Sequence, residues 1–437
     1  MTPPSALDPV ITGMGFCLPG DSETPTTTID QLWKVASTGT SRVRTGDFFH
    51  GTVHGAAAEA ARRWPTIPEH HLASYQEVHH LGLVSLHEAL HDAGLDPAGE
   101  EVRDSAVLTA RAGVDSTYDT YRAWHDLGTT ADPRNIKSHF VQLLLGGTWS
   151  DVGLIQSAML RSRGTSFVLS SGCASSAELL GIAADLIRSR REDLVVVTGV
   201  DHFKADRVLH GARLAASVEQ TMPVTATHHA DPPAAPRHDR QMRPYDVHSD
   251  CMNYGSGAAT LVVESRARAE RRPARIHGRI LGQCTRRGGL HSAVALATDG
   301  SALAEAARTV LRRAGLTPKD ITYVNGGAEG DPLFARLEAN ALIELMGSAP
   351  MPLVSSQEAC FGHSGAPLGA LEAALTVLMM SRGEVCPTAA CIYPDPTLPF
   401  DPMPGTWTRP LEMDRALSFN YQVGGVYSAL LLGASDE

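Results

Sequence analysis

The 437-residue chain reads as an α/β protein of sheets covered by helices, long enough for two similar lobes or one large α/β domain. Two observations carry this reading. Short apolar runs alternate with segments of helical period, and the second half of the chain repeats the habit of the first. The composition, 43% apolar and 19% charged, is that of a globular protein able to bury a large core.

Taken in order, Val10–Met14 reads as a strand and Thr28–Ala36 as a helix. Leu81–Ala93 has the apolar spacing of an amphipathic helix, and Gly94 stops it. Ser105–Ala110 and Asp193–Thr198 read as further strands, with Ser166–Leu169 as a buried strand between them. Thr221–Met242, rich in Pro, Ala and His, reads as an exposed loop. The basic stretch SRARAERRPAR, residues 265–275, reads as a solvated connection at the seam between halves. Beyond it come strand Arg275–Leu281, helix Ser301–Ala314 stopped by Gly315, strand Ile321–Asn325, helix Gly365–Met380 and strand Tyr427–Leu432.

Several function classes fall away. A net charge of −11 argues against a nucleic-acid surface. The start, MTPPSALDPVITGMGF, lacks the charged and apolar regions of a secretory leader, and no apolar run is long enough to span a membrane. The seven cysteines are scattered without CxxC spacing, which points to reduced thiols in a cytosolic protein and to no zinc knuckle. His228, His229 and Asp231 could ligate a metal, but a loop supplies no fixed geometry, so no metal is expected.

The informative stretch is SFVLSSGCASSAELLGIAADLI. Here an apolar strand meets a helix, Ala174–Ile187, with Cys173 at the junction. The positive end of a helix macrodipole lowers a thiol pKa, and Gly172, Ala174, Ser175 and Ser176 leave room for a substrate carbonyl. A buried, inert cysteine at a strand end is the plain alternative.

Other segments favour the nucleophile. VITGMGFCLPG, IDQLWKVASTGTSRV, SSGCASSAELL, RPYDVHSDCMNYGSGAATLVVE, YVNGGAEGDPLFARLEANAL, SSQEACFGHSGAPLGALEAAL and SFNYQVGGVYSALLL follow one another in an order that resembles the β-ketoacyl synthase family of the thiolase fold. The resemblance implies two similar βαβαβ-type halves in a five-layered α-β-α-β-α core. Residues 1–265 would carry the nucleophilic cysteine, Cys173, and residues 266–437 the histidine, His363. It also implies an acyl group delivered on a phosphopantetheine carrier protein or as acyl-CoA with no further cofactor, and a homodimer or a heterodimer with a ketosynthase-like subunit. The implied oxyanion donors are the backbone N–H groups of Cys173 and Val423. The implied substrate-binding positions are Gly327, Glu358, His291, Gln422 and Gly424.

Departures from the family pattern matter more than matches. Where the family has His-Gly-Thr-x-Thr-Pro-Leu, this chain reads Gly327-Ala328-Glu329-Gly330-Asp331-Pro332-Leu333, so the first catalytic histidine is replaced by Gly327. The family's lysine is Glu358, the glutamate of its Gly-Glu-Gly is Ser256, and its gating phenylalanine aligns with Val423 after Gln422. Losing one donor to a developing enolate costs roughly 3–4 kcal/mol of transition-state stabilisation. A carboxylate at position 358 is expected to oppose that negative charge further. Acyl transfer through Cys173 needs only a thiolate, an oxyanion hole and an acid–base group. The sequence therefore predicts a divergent ketosynthase-like acyltransferase of polyketide or fatty-acid-type biosynthesis. A non-catalytic chain-length-factor-like partner and an elongating synthase with a substituted donor are the alternatives.

Overall fold

The computed structural model describes residues 5–21, 23–45, 49–112, 125, 148–204, 230–231, 240–289 and 296–435. Ten strands make the main sheet: β1 (Pro9–Cys17), β2 (Ala106–Ala110), β3 (Ser166–Leu169), β4 (Leu194–Asp201), β5 (Gly257–Ser265), β6 (Gly278–Arg287), β7 (Tyr323–Asn325), β8 (Leu353–Ser355), β9 (Arg415–Gln422) and β10 (Val426–Ala434). The principal helices are α1 (Ile29–Ser37), α2 (Glu77–Asp92), α3 (Asp151–Leu160), α4 (Ser175–Arg188), α5 (Ser301–Arg313), α6 (Pro332–Met346) and α7 (Leu368–Arg382).

The strand order is β8-β7-β9-β10-β6-β1-β5-β4-β2-β3. It divides at β6 and β1 into two sets with one pattern. From β1 outward, β5 and β4 pair antiparallel and β2 and β3 parallel. From β6 outward, β10 and β9 pair antiparallel and β7 and β8 parallel. The two sets meet through Val10↔Arg279 and Ile11↔Gly278. Helices α4 and α7 pack against each other and against strands of both sets, forming a middle layer. On the outer faces α2 and α3 cover the first set, and α5 and α6 the second. Covering both faces explains why β1 and β5 are buried along their whole length.

Local chemistry sets the helix ends. Thr28 caps α1 through a reciprocal box, its hydroxyl accepting from Gln31 N at 3.3 Å while Gln31 Oε1 accepts from Thr28 N at 3.2 Å. Asp331 caps α6 by accepting from Leu333 N at 2.8 Å, with Pro332 in the first turn, where a missing N–H costs nothing.

Two expectations need correction. Ser166–Leu169 is a strand, but it is the outermost one, and Phe167 is 37% exposed rather than buried. The basic seam is not a solvated connection: Arg266–Arg271 forms a short helix, and Arg268 and Arg272 both pair with the fully buried Glu264. Of Thr221–Met242, only 230–231 and 240–242 are described, and Met242 is fully buried. His228, His229, His291 and the side chain of Asp231 lie outside the described residues. His79 and His80 are packed, His79 Nε2 lying 3.1 Å from Asp151 Oδ2.

Candidate active site

Cys173 occupies a single 3₁₀ turn, Gly172–Ala174, between β3 and α4. The chain must reverse there within a few residues. Gly172 takes φ +55°, and a Cβ on it would lie 2.5 Å from the Gln422 side chain. Ser175 tightens the turn, donating from Oγ to Gly172 O at 2.6 Å and accepting from Ser171 N at 2.7 Å. Gln422, at the end of β9, thereby stands directly against the nucleophile turn, with Val423 and Gly424 in the hairpin that follows.

His363 comes from the second set of strands, in the segment leading to α7. Its backbone N donates to Asn253 O at 2.7 Å and its carbonyl accepts from Gly255 N at 3.0 Å, so the segment lies as a short bridge beside Tyr254. Gly362, at φ +86°, permits that approach, since a Cβ would meet the Tyr254 backbone at 2.9 Å. Downstream, Asp201 at the end of β4 accepts from Ala366 N at 2.9 Å.

These constraints bring Cys173 Sγ to 2.7 Å from His363 Nε2. Glu358 Oε2 and Glu329 Oε2 each lie 2.7 Å from the other ring nitrogen, Nδ1. All three partners are buried, at 6%, 3% and 7% exposure for His363, Glu358 and Glu329. Ser356 draws the carboxylates together: its hydroxyl donates to Ala328 O at 2.9 Å and accepts from Glu358 N at 3.4 Å.

The electrostatics follow from this crowding. Burial pulls the His363 pKa down, but the Cys173 thiolate and the two carboxylates outweigh it and hold the imidazolium well above the usual histidine range. Burial pushes Glu358 up, and Glu329 adds to that against the lowering effect of His363. One Nδ1–H faces two carboxyl oxygens, which therefore share a single ring donor. Burial also raises the Cys173 thiol, more than the contact with His363 lowers it. The expected macrodipole-lowered thiol is corrected on that ground. The 2.7 Å contact puts His363 Nε2 within reach of the Cys173 proton.

Gly327 leaves little room for a side chain. A Cβ there would lie 2.7 Å from Phe419 O and 3.3 Å from the Tyr421 ring. Gly327 N donates to Glu338 Oε1 at 2.8 Å, and Tyr245 and Tyr421 donate their hydroxyls to the same carboxyl group. Burial lifts Glu338 to about 7 against those three donors. Glu358, expected to oppose an enolate, is instead engaged by His363 Nδ1. Glu329 was missed in the sequence. The signal was present, because a carboxylate stands where the family pattern has its first threonine.

The ligand atoms of Glu329, Glu358 and His363 lie within 4.8 Å of one another, a possible metal set. Both carboxylate distances to Nδ1 are those of hydrogen bonds, so an ion there would have to displace the bound proton.

Family models for the β-ketoacyl synthase N-terminal and C-terminal domains match residues 8–269 and 277–391. The chain belongs to the β-ketoacyl synthase family. Among curated members of that family it is 27% identical, over 98% of its length and 97% of the relative's, to the tetracenomycin polyketide synthase ketoacyl synthase alpha subunit of Streptomyces glaucescens. It is 25% identical to 3-oxoacyl-[acyl-carrier-protein] synthase 2 of Staphylococcus aureus, over 80% of each chain. The ishigamide ketosynthase/chain length factor superposes with a TM-score of 0.80 at 21% identity, over 98% of this chain and 99% of that one. That likeness establishes the thiolase-like ketosynthase fold. Among the described residues no helix is long and apolar enough to cross a membrane.

Proposed function

We propose that this β-ketoacyl-synthase-family protein is an acyltransferase of polyketide biosynthesis that carries its acyl group as a thioester on Cys173 and passes it on without ordinary malonyl decarboxylation. The observation that carries the reading is the line Cys173 Sγ, His363 Nε2, His363 Nδ1, Glu329/Glu358, each contact 2.7 Å. This is the arrangement of a base-activated nucleophile, with a third group orienting the base. His363 Nε2 takes the thiol proton, Sγ attacks the incoming thioester carbonyl, and the same proton leaves with the departing pantetheine thiol. The backbone N–H groups of Cys173 and Val423 are the proposed oxyanion donors, and Gln422 and Gly424 border the acyl entrance. The acyl donor is a phosphopantetheine carrier protein or acyl-CoA. Relatives named as polyketide ketoacyl synthase subunits support the pathway class.

Decarboxylative condensation is disfavoured because the place of its first histidine is filled by the Phe419 carbonyl and the Tyr421 ring. A silent partner role has the same loss in its favour, but the Cys173–His363 contact it would not need is present. The proposed assembly is a dimer through β3, homomeric or with a ketosynthase-like subunit, because among the described residues that outermost strand has no further strand beyond it and Phe167 is 37% exposed.

Intact-protein mass after incubation with acyl N-acetylcysteamine thioesters tests the reading. A single adduct, absent in Cys173→Ala, is expected, with carbon dioxide release from malonyl thioester far below about 1 per second. No adduct on the wild-type protein would favour the silent partner, and fast carbon dioxide release the elongating synthase.

A further inference from the structure

His363 and Cys173 come from different sets of strands, so the distance between them depends on how the segment running from His363 into α7 sits on the first set. That segment is seated by close backbone approaches. A Cβ on Gly199 of β4 would lie 2.5 Å from Ala366 O, and one on Gly369 would lie 2.4 Å from Ala177 N of α4. Ala370 N donates to Ser176 Oγ at 2.9 Å, three residues beyond the nucleophile.

Asp201 adds a charged anchor. It ends β4 and is 2% exposed. Its Oδ2 accepts from Ala366 N at 2.9 Å, three residues past His363, and from Ala112 N at 3.0 Å, just past β2. Its Oδ1 accepts from Ala112 N at 3.1 Å and faces Arg111 Nε at 3.7 Å. Arg111 is fully buried, and its Nη1 lies 3.0 Å from each carboxylate oxygen of Asp151 on α3. His79 of α2 stands beyond, 3.1 Å from Asp151 Oδ2. The Asp201 carboxylate is thus fixed by the sheet and by a buried cation, and it grips the turn into α7. A hydrogen bond to an ionised acceptor in a dry interior is stronger than one between neutral groups. Gly365, at φ +71°, marks the closest approach, since a Cβ there would stand 2.9 Å from Asp201 Oδ2.

We infer that Asp201 is a positioning residue: by holding Ala366 N it sets His363 Nε2 at its 2.7 Å contact with Cys173 Sγ. The inference rests on the nucleophile–base part of the reading above. Asp201 acts through segment 363–366 and not on the reacting atoms. The groups facing His363 are Cys173, Glu329, Glu358 and the Tyr254 ring, and the cation facing Asp201 is Arg111. A displacement of about 1 Å caused away from the chemistry can cost about a hundredfold in rate.

Asp201→Asn tests this, read by the pH dependence of iodoacetamide alkylation at Cys173 and located by peptide mass. An amide has one acceptor oxygen. If that oxygen serves Ala366 N, the NH2 group turns on Arg111; if it serves Arg111, Ala366 N loses its acceptor. The His363 contact lowers the Cys173 thiol against its burial, so a displaced His363 should move the alkylation midpoint to higher pH. Alkylation at pH 7 should slow about tenfold. Asp201→Glu keeps the charge beside Arg111 but drives the carboxylate against the Gly365 turn, and it should shift the profile in the same direction. Asp151→Asn is the control: it weakens the other pairing of Arg111 and should lower Tm while leaving the profile at its wild-type position. A wild-type profile in both Asp201 variants, whatever their Tm, would overturn the inference. So would an equal shift in Asp151→Asn, which would mark a general loosening of the buried charges. Acyl loading on the same samples decides the acyl-transfer reading separately. A wild-type protein that alkylates but never loads refutes that reading, and the role of Asp201 is still decided by the alkylation profiles.

Discussion

Glu358 Oε2 lies 2.7 Å from His363 Nδ1, at the ring nitrogen that does not face Cys173. A side chain that, by its charge alone, should hinder the family's reaction instead braces the remaining histidine. Together with Glu329 it turns His363 into a strongly held imidazolium once Cys173 gives up its proton.

The first prediction concerns pH. Glu329 and Glu358 both raise the His363 pKa, so Glu329→Gln should lower it. The imidazolium that protonates the leaving thiol is then lost at lower pH. The alkaline limb of the acyl-loading profile should move toward neutrality, and the maximal rate should fall several-fold. An alkaline limb unchanged in Glu329→Gln would show that this carboxylate does not act on His363.

Restoring the histidine should fail for steric reasons. Gly327→His puts a Cβ 2.7 Å from Phe419 O and against Tyr421, so the variant should lose about 1–3 kcal/mol of stability. It should gain no malonyl decarboxylation. Thermal unfolding and carbon dioxide release on one preparation check both halves of the statement.

A third prediction is about stability. Glu372 is 2% exposed, accepts from Asn420 Nδ2 at 2.5 Å and leaves Oε1 without a partner. Burial first, then Glu358, holds its pKa well above the ordinary carboxylate value. A raised carboxyl binds its proton more tightly folded than unfolded, so the protein loses stability as pH climbs above the unfolded value. Glu372→Gln removes that slope. Its Tm relative to wild type should be higher at pH 8 than at pH 5, and a pH-independent difference would contradict the assignment.

The fourth prediction addresses assembly. Phe167 on β3 is 37% exposed and Leu154 on the adjacent α3 is 52% exposed. Phe167→Asp should convert a dimer to a monomer in light scattering at micromolar concentration. A wild-type protein that is already monomeric, with no ketosynthase-like subunit able to pair with it, would remove the proposed edge contact.

Much of the architecture was legible because it rests on periodicity and on capping. The helix read from Leu81 is there as Glu77–Asp92, and the strand read as Tyr427–Leu432 is there as Val426–Ala434. Strands β5, β8 and β9 were not read as separate elements. β8 has only three residues, whereas β9 alternates Leu417, Phe419 and Tyr421 with Ser418, Asn420 and Gln422, a period-2 strand signal that was present and went unused. At the site, Cys173 and His363 stood out by their motifs. Glu329 was legible as a carboxylate in the family's threonine position, but its convergence on position 363 shows only in the fold. The Cys173 pKa was misjudged because a sequence displays the helix dipole but hides the extent of burial.

The turn carrying Cys173 belongs to the strand set ending at β5, whereas His363, Glu329 and Glu358 belong to the set beginning at β6, and the two sets join into one sheet at Val10↔Arg279 and Ile11↔Gly278. Reactive chemistry therefore exists only where the two pieces of the chain have closed on each other. Cys173 doubles as a sensor of that closure: its thiol changes character when the imidazole arrives, so in a variant whose other six cysteines are replaced, a thiol-directed dye followed during refolding should time the docking of one half onto the other.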